Sequence, residues 1–148
     1  MFSALNIDLS ACMCVKKDGY GGPALIDEFN LFPFVSLVKV VRIEDIDLPF
    51  PDKPGTVMAG KRISLELIKV LNIPQPLLGQ KNITFVSKSM CDFDFLIGTY
   101  YIVFGNYNQE GLTVSGCSPT QKVQLNKKDA FLKHFLSKFP TSDSKALP

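Results

Sequence analysis

Residues 99–105 read Thr-Tyr-Tyr-Ile-Val-Phe-Gly, and this stretch gives the strongest strand signal in the chain. Aromatic and β-branched residues of this kind favour pleated, at least half-buried backbone. The polar segment at residues 106–111 predicts a hairpin turn, and residues 112–115 predict the strand that returns from it. The second half of the chain is therefore predicted to contain a β-hairpin.

Three further strands are predicted upstream, at residues 35–43, 61–71 and 82–86, from β-branched runs and apolar/polar alternation. Between the first two, residues 47–60 contain three prolines and two glycines, which predicts an exposed connection. Five strands separated by turns indicate a mainly β domain, folded as a small closed barrel.

Two helices are expected to flank this barrel. Residues 24–31 have a one-face apolar pattern typical of a short N-terminal helix that must stop before Pro33. Near the C-terminus, Asn126 is a candidate cap with Asp129 in the first turn. The apolar residues that follow at helical spacing are Phe131, Leu132, Phe135, Leu136 and Phe139, and Pro140 ends the segment. This stripe predicts an amphipathic helix packed on the barrel, in preference to a partner or membrane surface.

The length, charge and residue composition of the chain favour a binding domain. The 148 residues fit one domain, and 16 basic against 14 acidic residues give a net charge of +2 that is scattered along the chain. This distribution lacks the basic face that nucleic acid requires, and no apolar run is long enough to span a bilayer. A single histidine and the lack of a phosphate loop or a G-x-S-x-G elbow argue against an enzyme. No cofactor is expected.

The four cysteines, Cys12, Cys14, Cys91 and Cys117, are even in number and include no C-x-x-C pair. Zinc ribbons and fingers need paired short spacings, so two disulfides are the favoured use, with reduced core thiols as the alternative. Cys12 and Cys14 are too close in sequence to bond each other readily. The two remaining pairings both tie this C-x-C segment to two distant points.

The N-terminal segment bears on localisation. Leu9-Ser10-Ala11-Cys12 is typical of the end of a lipoprotein signal or of a small-residue cleavage site, although residues 1–8 lack a basic region. We therefore divide the chain into an N-terminal arm or signal remnant (1–11), a single domain (12–140) and a flexible tail (141–148). Disulfides and this N-terminus together predict a secreted, periplasmic or cell-envelope protein.

Several short motifs follow one another in a particular order along the chain. Cys12-Met13-Cys14-Val15 is followed by a valine-rich strand, by Ser89-Met90-Cys91, by Gly98–Gly105 and by Leu112–Ser118, which contains Cys117. This order resembles the netrin-like module, specifically the N-terminal inhibitory domain of the tissue inhibitors of metalloproteinases. The resemblance covers roughly residues 12–118. It implies a five-stranded barrel of the oligonucleotide/oligosaccharide-binding (OB) type with flanking helices.

The resemblance also implies a disulfide pairing and a binding site. The pairing is Cys12–Cys91 and Cys14–Cys117. In the family, the N-terminal cysteine chelates the zinc of the target protease through its α-amino nitrogen and carbonyl oxygen, which here requires Cys12 to be the first residue. The side chain of Met13 would then enter the specificity pocket of the protease. Cys14, Val15, Ser89 and Met90 would complete the protease-binding surface.

The implied function is a secreted or cell-envelope protein-binding module that resembles a metalloproteinase inhibitor. The expected partner is a zinc metalloproteinase or another extracellular protein. The alternative is a non-inhibitory netrin-like module whose C-x-C segment only anchors disulfides. Lipidation of Cys12, or a thiol oxidoreductase or zinc protein that uses the cysteines, are further alternatives.

Overall fold

The computed structural model describes residues 29, 31–50, 52–88 and 91–139. Within these ranges the protein is mainly β. The strands are β1 (Phe34–Pro49), β2 (Val57–Asn72), β3 (Asn82–Ser87), β4 (Tyr100–Asn108), β5 (Gly111–Thr113) and β6 (Gln121–Val123), joined by a 3-10 turn (Gln75–Leu77) and followed by helix α1 (Ala130–Leu136).

The sheet is antiparallel and nearly closed into a barrel. Its strand order is β3-β2-β1-β4-β5, with β6 paired to the start of β4. The two ends of this order, β3 and β5, lie next to each other. The prediction of a mainly β, barrel-like domain is therefore confirmed. The three upstream strands and the hairpin lie where the sequence placed them, although β1 and β2 are longer than predicted.

Strand β4 shows how the sheet is buried on both faces. In β4, Tyr101 and Val103 face one apolar cluster inside the barrel, while Ile102 and Phe104 face a second cluster beneath α1. We call these the inner core and the helix-side core. A strand covered on both faces needs a continuous apolar run, and the sequence of β4 supplies one.

Helix α1 closes the helix-side core, as its apolar stripe predicts. Phe131, Leu132 and Phe135 are buried there, and Phe135 is fully buried. The predicted start of the helix is wrong by a few residues. Asp129 is the N-cap and its Oδ1 accepts from the backbone N–H of Leu132 at 2.9 Å, whereas Asn126 forms a separate turn by accepting from the N–H of Lys128.

Half of the connection predicted at residues 47–60 is strand. β1 continues to Pro49 and β2 begins at Val57, so that only residues 50–56 separate them. Pro49 is tolerated in β1 because this part of the strand has no partner on its outer edge, where a missing N–H costs nothing. β6, another strand, was not predicted, because three residues are too few to show a period. The predicted N-terminal helix falls mainly outside the described residues, as do the boundaries of the arm and the tail.

Candidate functional site

The candidate site is the corner where Cys91 and Cys117 meet. Asp92 and Ser115 form an isolated antiparallel bridge, and the N–H of Gly116 donates to the carbonyl of Cys91 at 2.8 Å. The neighbouring N–H of Phe93 donates to the carbonyl of Val114 at 2.8 Å. These bonds join the segment after β3 to the segment after β5, so two cysteines 26 positions apart (117 − 91) lie side by side.

Local sequence explains why this corner is tight. A Cβ atom added at Gly116 would lie 3.0 Å from the carbonyl oxygen of Cys91, so a residue without a side chain lets the two segments approach. The Oγ atom of Ser115 accepts from the N–H of Cys117 at 2.9 Å, and the carbonyl of Ser115 accepts from the N–H of Ser118 at 3.0 Å. Cys117 is thus held in a turn with its backbone donor satisfied.

Neither cysteine at this corner is a free thiol, since both are disulfide-bonded in the structure. Both are half-buried. Cys12 and Cys14 lie outside the described residues, so the pairing implied by the family resemblance stays a prediction. The remaining predicted site residues, Met13, Val15, Ser89 and Met90, also lie outside the described residues.

Asp92 orders the backbone beside the corner. Its Oδ2 atom accepts from the hydroxyl of Ser87 at 3.2 Å and from the N–H of Lys88 at 3.1 Å. The carboxylate therefore fixes the exit of β3, the point from which the chain continues to residues 89 and 90. Asp92 is half-buried, whereas Asp94 is exposed.

The ion pair between Lys88 and Glu110 lies near the same corner and joins the end of β3 to the turn before β5. The hydrogen bond and positive charge of Lys88 lower the pKa of Glu110 below its ordinary value of 4.5. Both side chains are exposed, so the pair connects the strand ends across the barrel opening with little burial.

The aromatic residues expected in the core are there. Tyr101 and Phe104 are buried and Tyr100 is half-buried. Tyr101 packs edge-on against Phe93 and Phe95, with ring centroids 5.5 and 5.0 Å away, and its hydroxyl accepts from the N–H of Leu96 at 2.9 Å. Its role is to anchor the segment that follows Cys91.

His134 is half-buried on α1, and its Nε2 atom is buried without a hydrogen-bond partner among the described residues. Among the residues that the structure describes, no three histidine, cysteine or acidic side chains are grouped so that they could hold a metal ion. None of the described helices is long and apolar enough to cross a membrane.

The sequence did not reveal a cavity beside the corner. It is lined in part by Asp45 and Asp47 of β1 and by Phe93 and Asp94. These residues are nearly 50 positions apart in the chain, and only the topology brings them together. The acidic alternation in β1 was the one available signal, and by itself it indicates no more than an exposed strand.

With the fold and this corner established, comparison with known proteins adds no assignment. No family model matches the chain, and no curated protein sequence is significantly similar to it.

Proposed function

We propose that this chain is a netrin-like, OB-type protein-binding module of secreted or cell-envelope origin, and that it inhibits a zinc metalloproteinase when Cys12 is its free N-terminus. The observation that carries the proposal is the corner that holds Cys91 and Cys117 side by side, both in disulfide bonds. A C-x-C segment bonded there would have both of its cysteines fixed at one point of the barrel.

The strand order supports the OB-type label. An OB barrel is a five-stranded, partly open Greek-key barrel. In the described sheet the first strand lies between the second and the fourth, and the third and fifth strands close the barrel. The family resemblance implies the same barrel and thereby joins the fold to the cysteine pattern.

The chemistry of inhibition follows from a free amine on a rigid support. A protease zinc has three protein ligands and an open position, and an α-amino nitrogen with a pKa near 8 loses its proton readily on binding metal. With the pairing Cys12–Cys91 and Cys14–Cys117, two bonds fix the residues on both sides of Met13. Fixing the chelating residue before binding reduces the entropy that association costs.

The test compares two chains that differ only at the N-terminus. One begins at Cys12 and the matched control begins at Ala11, so both can form the same disulfides. Each is titrated against the catalytic domain of a zinc metalloproteinase with a fluorogenic peptide substrate, after peptide mapping has established the pairing. We expect inhibition only from the chain that begins at Cys12, because an amide nitrogen cannot chelate.

The other outcomes are equally informative. If neither chain inhibits any of a panel of zinc metalloproteinases while the pairing is as proposed, the non-inhibitory module is the correct reading. Equal inhibition by both chains would contradict amine chelation. A disulfide between Cys91 and Cys117 themselves would contradict the proposal, because the C-x-C segment would then not be bonded to this corner.

A further inference from the structure

The cavity beside the cysteine corner has a volume of about 550 Å³, within the rough range of 300–1,000 Å³ typical of ligand pockets. Its floor is apolar and is formed by two separate parts of the chain. Ile43 and Ile63 contribute from the paired strands β1 and β2, while Phe93 and Phe95 contribute from the segment after Cys91. The floor belongs to the inner core, with Ile43 and Phe93 packed half-buried at its margin.

The rim of the cavity carries more negative than positive charge. Four carboxylates line it, from Asp45, Asp47, Asp92 and Asp94, against two lysines, Lys61 and Lys88. The carboxylate of Asp92 is already engaged by Ser87 and by the backbone of residue 88.

One of the two lysines does not offset this charge, because Lys88 is ion-paired with Glu110, which lies outside the lining. Within the described part of the chain, Asp45, Asp47 and Asp94 accept no hydrogen bond and form no ion pair, and all three are exposed. Three carboxylates therefore retain their capacity to accept from a ligand.

An apolar floor beneath an acidic rim selects a ligand with an apolar stem and a positive end. The aromatic rings at the floor narrow the choice of the positively charged group further. Phe93 is half-buried, with its ring centroid 4.7 Å from that of Phe95, so part of its surface faces the cavity. A guanidinium group stacks flat on aromatic rings and donates in a planar fork to carboxylates. An ammonium group can also lie over a ring, but it lacks the planar fork.

We infer that this cavity is a binding site for an arginine side chain of a protein partner. The methylene stem would lie against Ile43 and Phe93, and the guanidinium group would donate to the carboxylates of Asp45 and Asp94. The inference rests on the proposed function only in taking the occupant to be a protein segment. It does not depend on a free amine at Cys12, and it places a second contact next to the corner formed by Cys91 and Cys117.

The test uses short peptides and no protease, so its failure is distinguishable from failure of the proposed function. The full chain, labelled with 15N, is titrated with acetyl-Gly-Leu-Arg-Leu-Gly-amide and with the same peptide carrying citrulline or lysine in place of arginine. Citrulline keeps the shape of arginine without its charge. We expect amide shifts confined to residues 43–47, 61–63 and 92–95, with the citrulline peptide at least about 5-fold weaker and the lysine peptide intermediate.

Three variants test the inference, because they should respectively weaken, strengthen and leave unchanged the binding of the arginine peptide. The double variant D45N/D94N should weaken binding of the arginine peptide at least about 5-fold, whereas Lys61→Gln should strengthen it, because it removes the remaining unpaired cation from the rim. Glu66→Gln, an exposed acid on β2 outside the lining, is the matched control and should change nothing. Unchanged spectra outside the cavity establish that each variant is folded.

The inference is overturned if the arginine peptide gives no shifts at the highest soluble concentration, or if the shifts lie elsewhere. It is also overturned if the citrulline peptide binds equally well, since charge would then play no part. A lysine peptide that binds as tightly as the arginine peptide would remove the assignment to arginine.

Discussion

Within the single strand β1, residues 34–40 are buried except for half-buried Lys39, whereas none of residues 42–49 is buried. The first half lies between β2 and β4 and has a core on each face. The second half pairs only with β2. As far as Asp45 its β2 partners also pair with β3, whereas Ile46–Pro49 and residues 57–60 of β2 form a two-stranded ribbon. Four residues at about 3.3 Å each give this ribbon a length of roughly 13 Å.

The difference between these two halves shows how one continuous strand can have two roles. The covered half closes the barrel, and its burial follows from having neighbours on every side. The less covered half contributes Ile43, Asp45 and Asp47 to the proposed arginine site. A position that gives little to stability is available for binding, because its side chains need not satisfy a core.

The strongest test of this comparison is a pair of truncations in the two halves. Leu37 is fully buried in the covered half, and Leu37→Ala should lower the free energy of unfolding by about 2–5 kcal/mol through lost burial and a new cavity. Ile46 is half-buried in the ribbon, and Ile46→Ala should cost about 1 kcal/mol or less. Urea denaturation of both variants measures the difference, and equal losses would show that the ribbon is as integral as the barrel.

Much of this contrast could be predicted from the sequence. The covered half is Phe-Val-Ser-Leu-Val-Lys-Val, a nearly continuous apolar run typical of a strand buried on both faces. Frequent charged residues begin at Arg42, just beyond the last pair of β1 with β4, Lys39 with Tyr100. The change in pattern therefore marks the point at which β4 no longer covers β1.

Two features of β1 could not be predicted, because they depend on pairing. By simple alternation Val41 would share the buried face of Leu37, yet it is 42% exposed, because the register shifts between Val40 and Arg42. A one-residue shift turns a side chain to the opposite face, and local sequence does not announce it. The extension of the strand to Pro49 was hidden for a similar reason, since a proline on an unpaired edge looks the same in sequence as one in a loop.

The candidate site was predictable only in its residue types. The spacing of the cysteines favoured disulfides, and the resemblance to the metalloproteinase inhibitors implied their pairing. That Cys91 and Cys117 lie side by side depends on the bridge between Asp92 and Ser115 and on the close approach at Gly116, which are long-range features. The cavity with its acidic rim depends in the same way on the topology.

The second prediction concerns a buried polar contact that helps β4 to cover β1. Thr120 is buried, and its Oγ1 atom accepts from the backbone N–H of Phe104 at 2.9 Å. Thr120→Val keeps the shape and leaves that buried N–H without its acceptor, so we expect a loss of about 1–3 kcal/mol in the free energy of unfolding.

Two companion variants separate this effect from packing. Thr120→Ser restores a hydroxyl and should recover most of the stability. Thr84→Val removes an exposed hydroxyl contact with Ser64 and should change the stability by less than about 0.5 kcal/mol. If Thr120→Val proved as stable as the parent protein in thermal and urea unfolding, the contact would contribute nothing to covering β1.

The third prediction addresses the tip of the ribbon. Gly55 has φ +87°, and a Cβ atom added there would meet nothing within 4 Å. Gly55→Ala therefore costs only backbone strain, about 1 kcal/mol, whereas Gly55→Asn should cost less because asparagine tolerates this conformation better. The loss should appear as faster hydrogen exchange at the N–H of Phe50, which bonds the carbonyl of Thr56 across the turn at 3.1 Å.

If the ribbon unfolds separately from the barrel, exchange in β4 should be unchanged in Gly55→Ala. Equal acceleration in β4 would contradict the division of β1 into two halves, because strain at the tip would then be felt throughout the sheet.

The smallest expected effect concerns the ion pair between Lys88 and Glu110. This pair joins β3 to the turn before β5, and so belongs to the barrel and not to the ribbon. The pKa of Glu110 is lowered in the folded protein, first by the hydrogen bond from Lys88 and then by its charge. A lowered carboxyl pKa stabilises the folded state above the ordinary value of 4.5, and this contribution is lost as the pH falls through the lowered pKa. Glu110→Gln should therefore remove a small pH dependence of stability below pH 4.5 and leave the rest of the pH–stability profile unchanged.

Because both side chains of the ion pair are exposed, added salt should reduce the difference in stability between Glu110→Gln and the parent protein at neutral pH. Thermal unfolding of Glu110→Gln and of the control Glu66→Gln across the acid range makes the measurement, and an equal change in both variants would show that loss of any exposed carboxylate, and not closure of the barrel by this pair, is responsible.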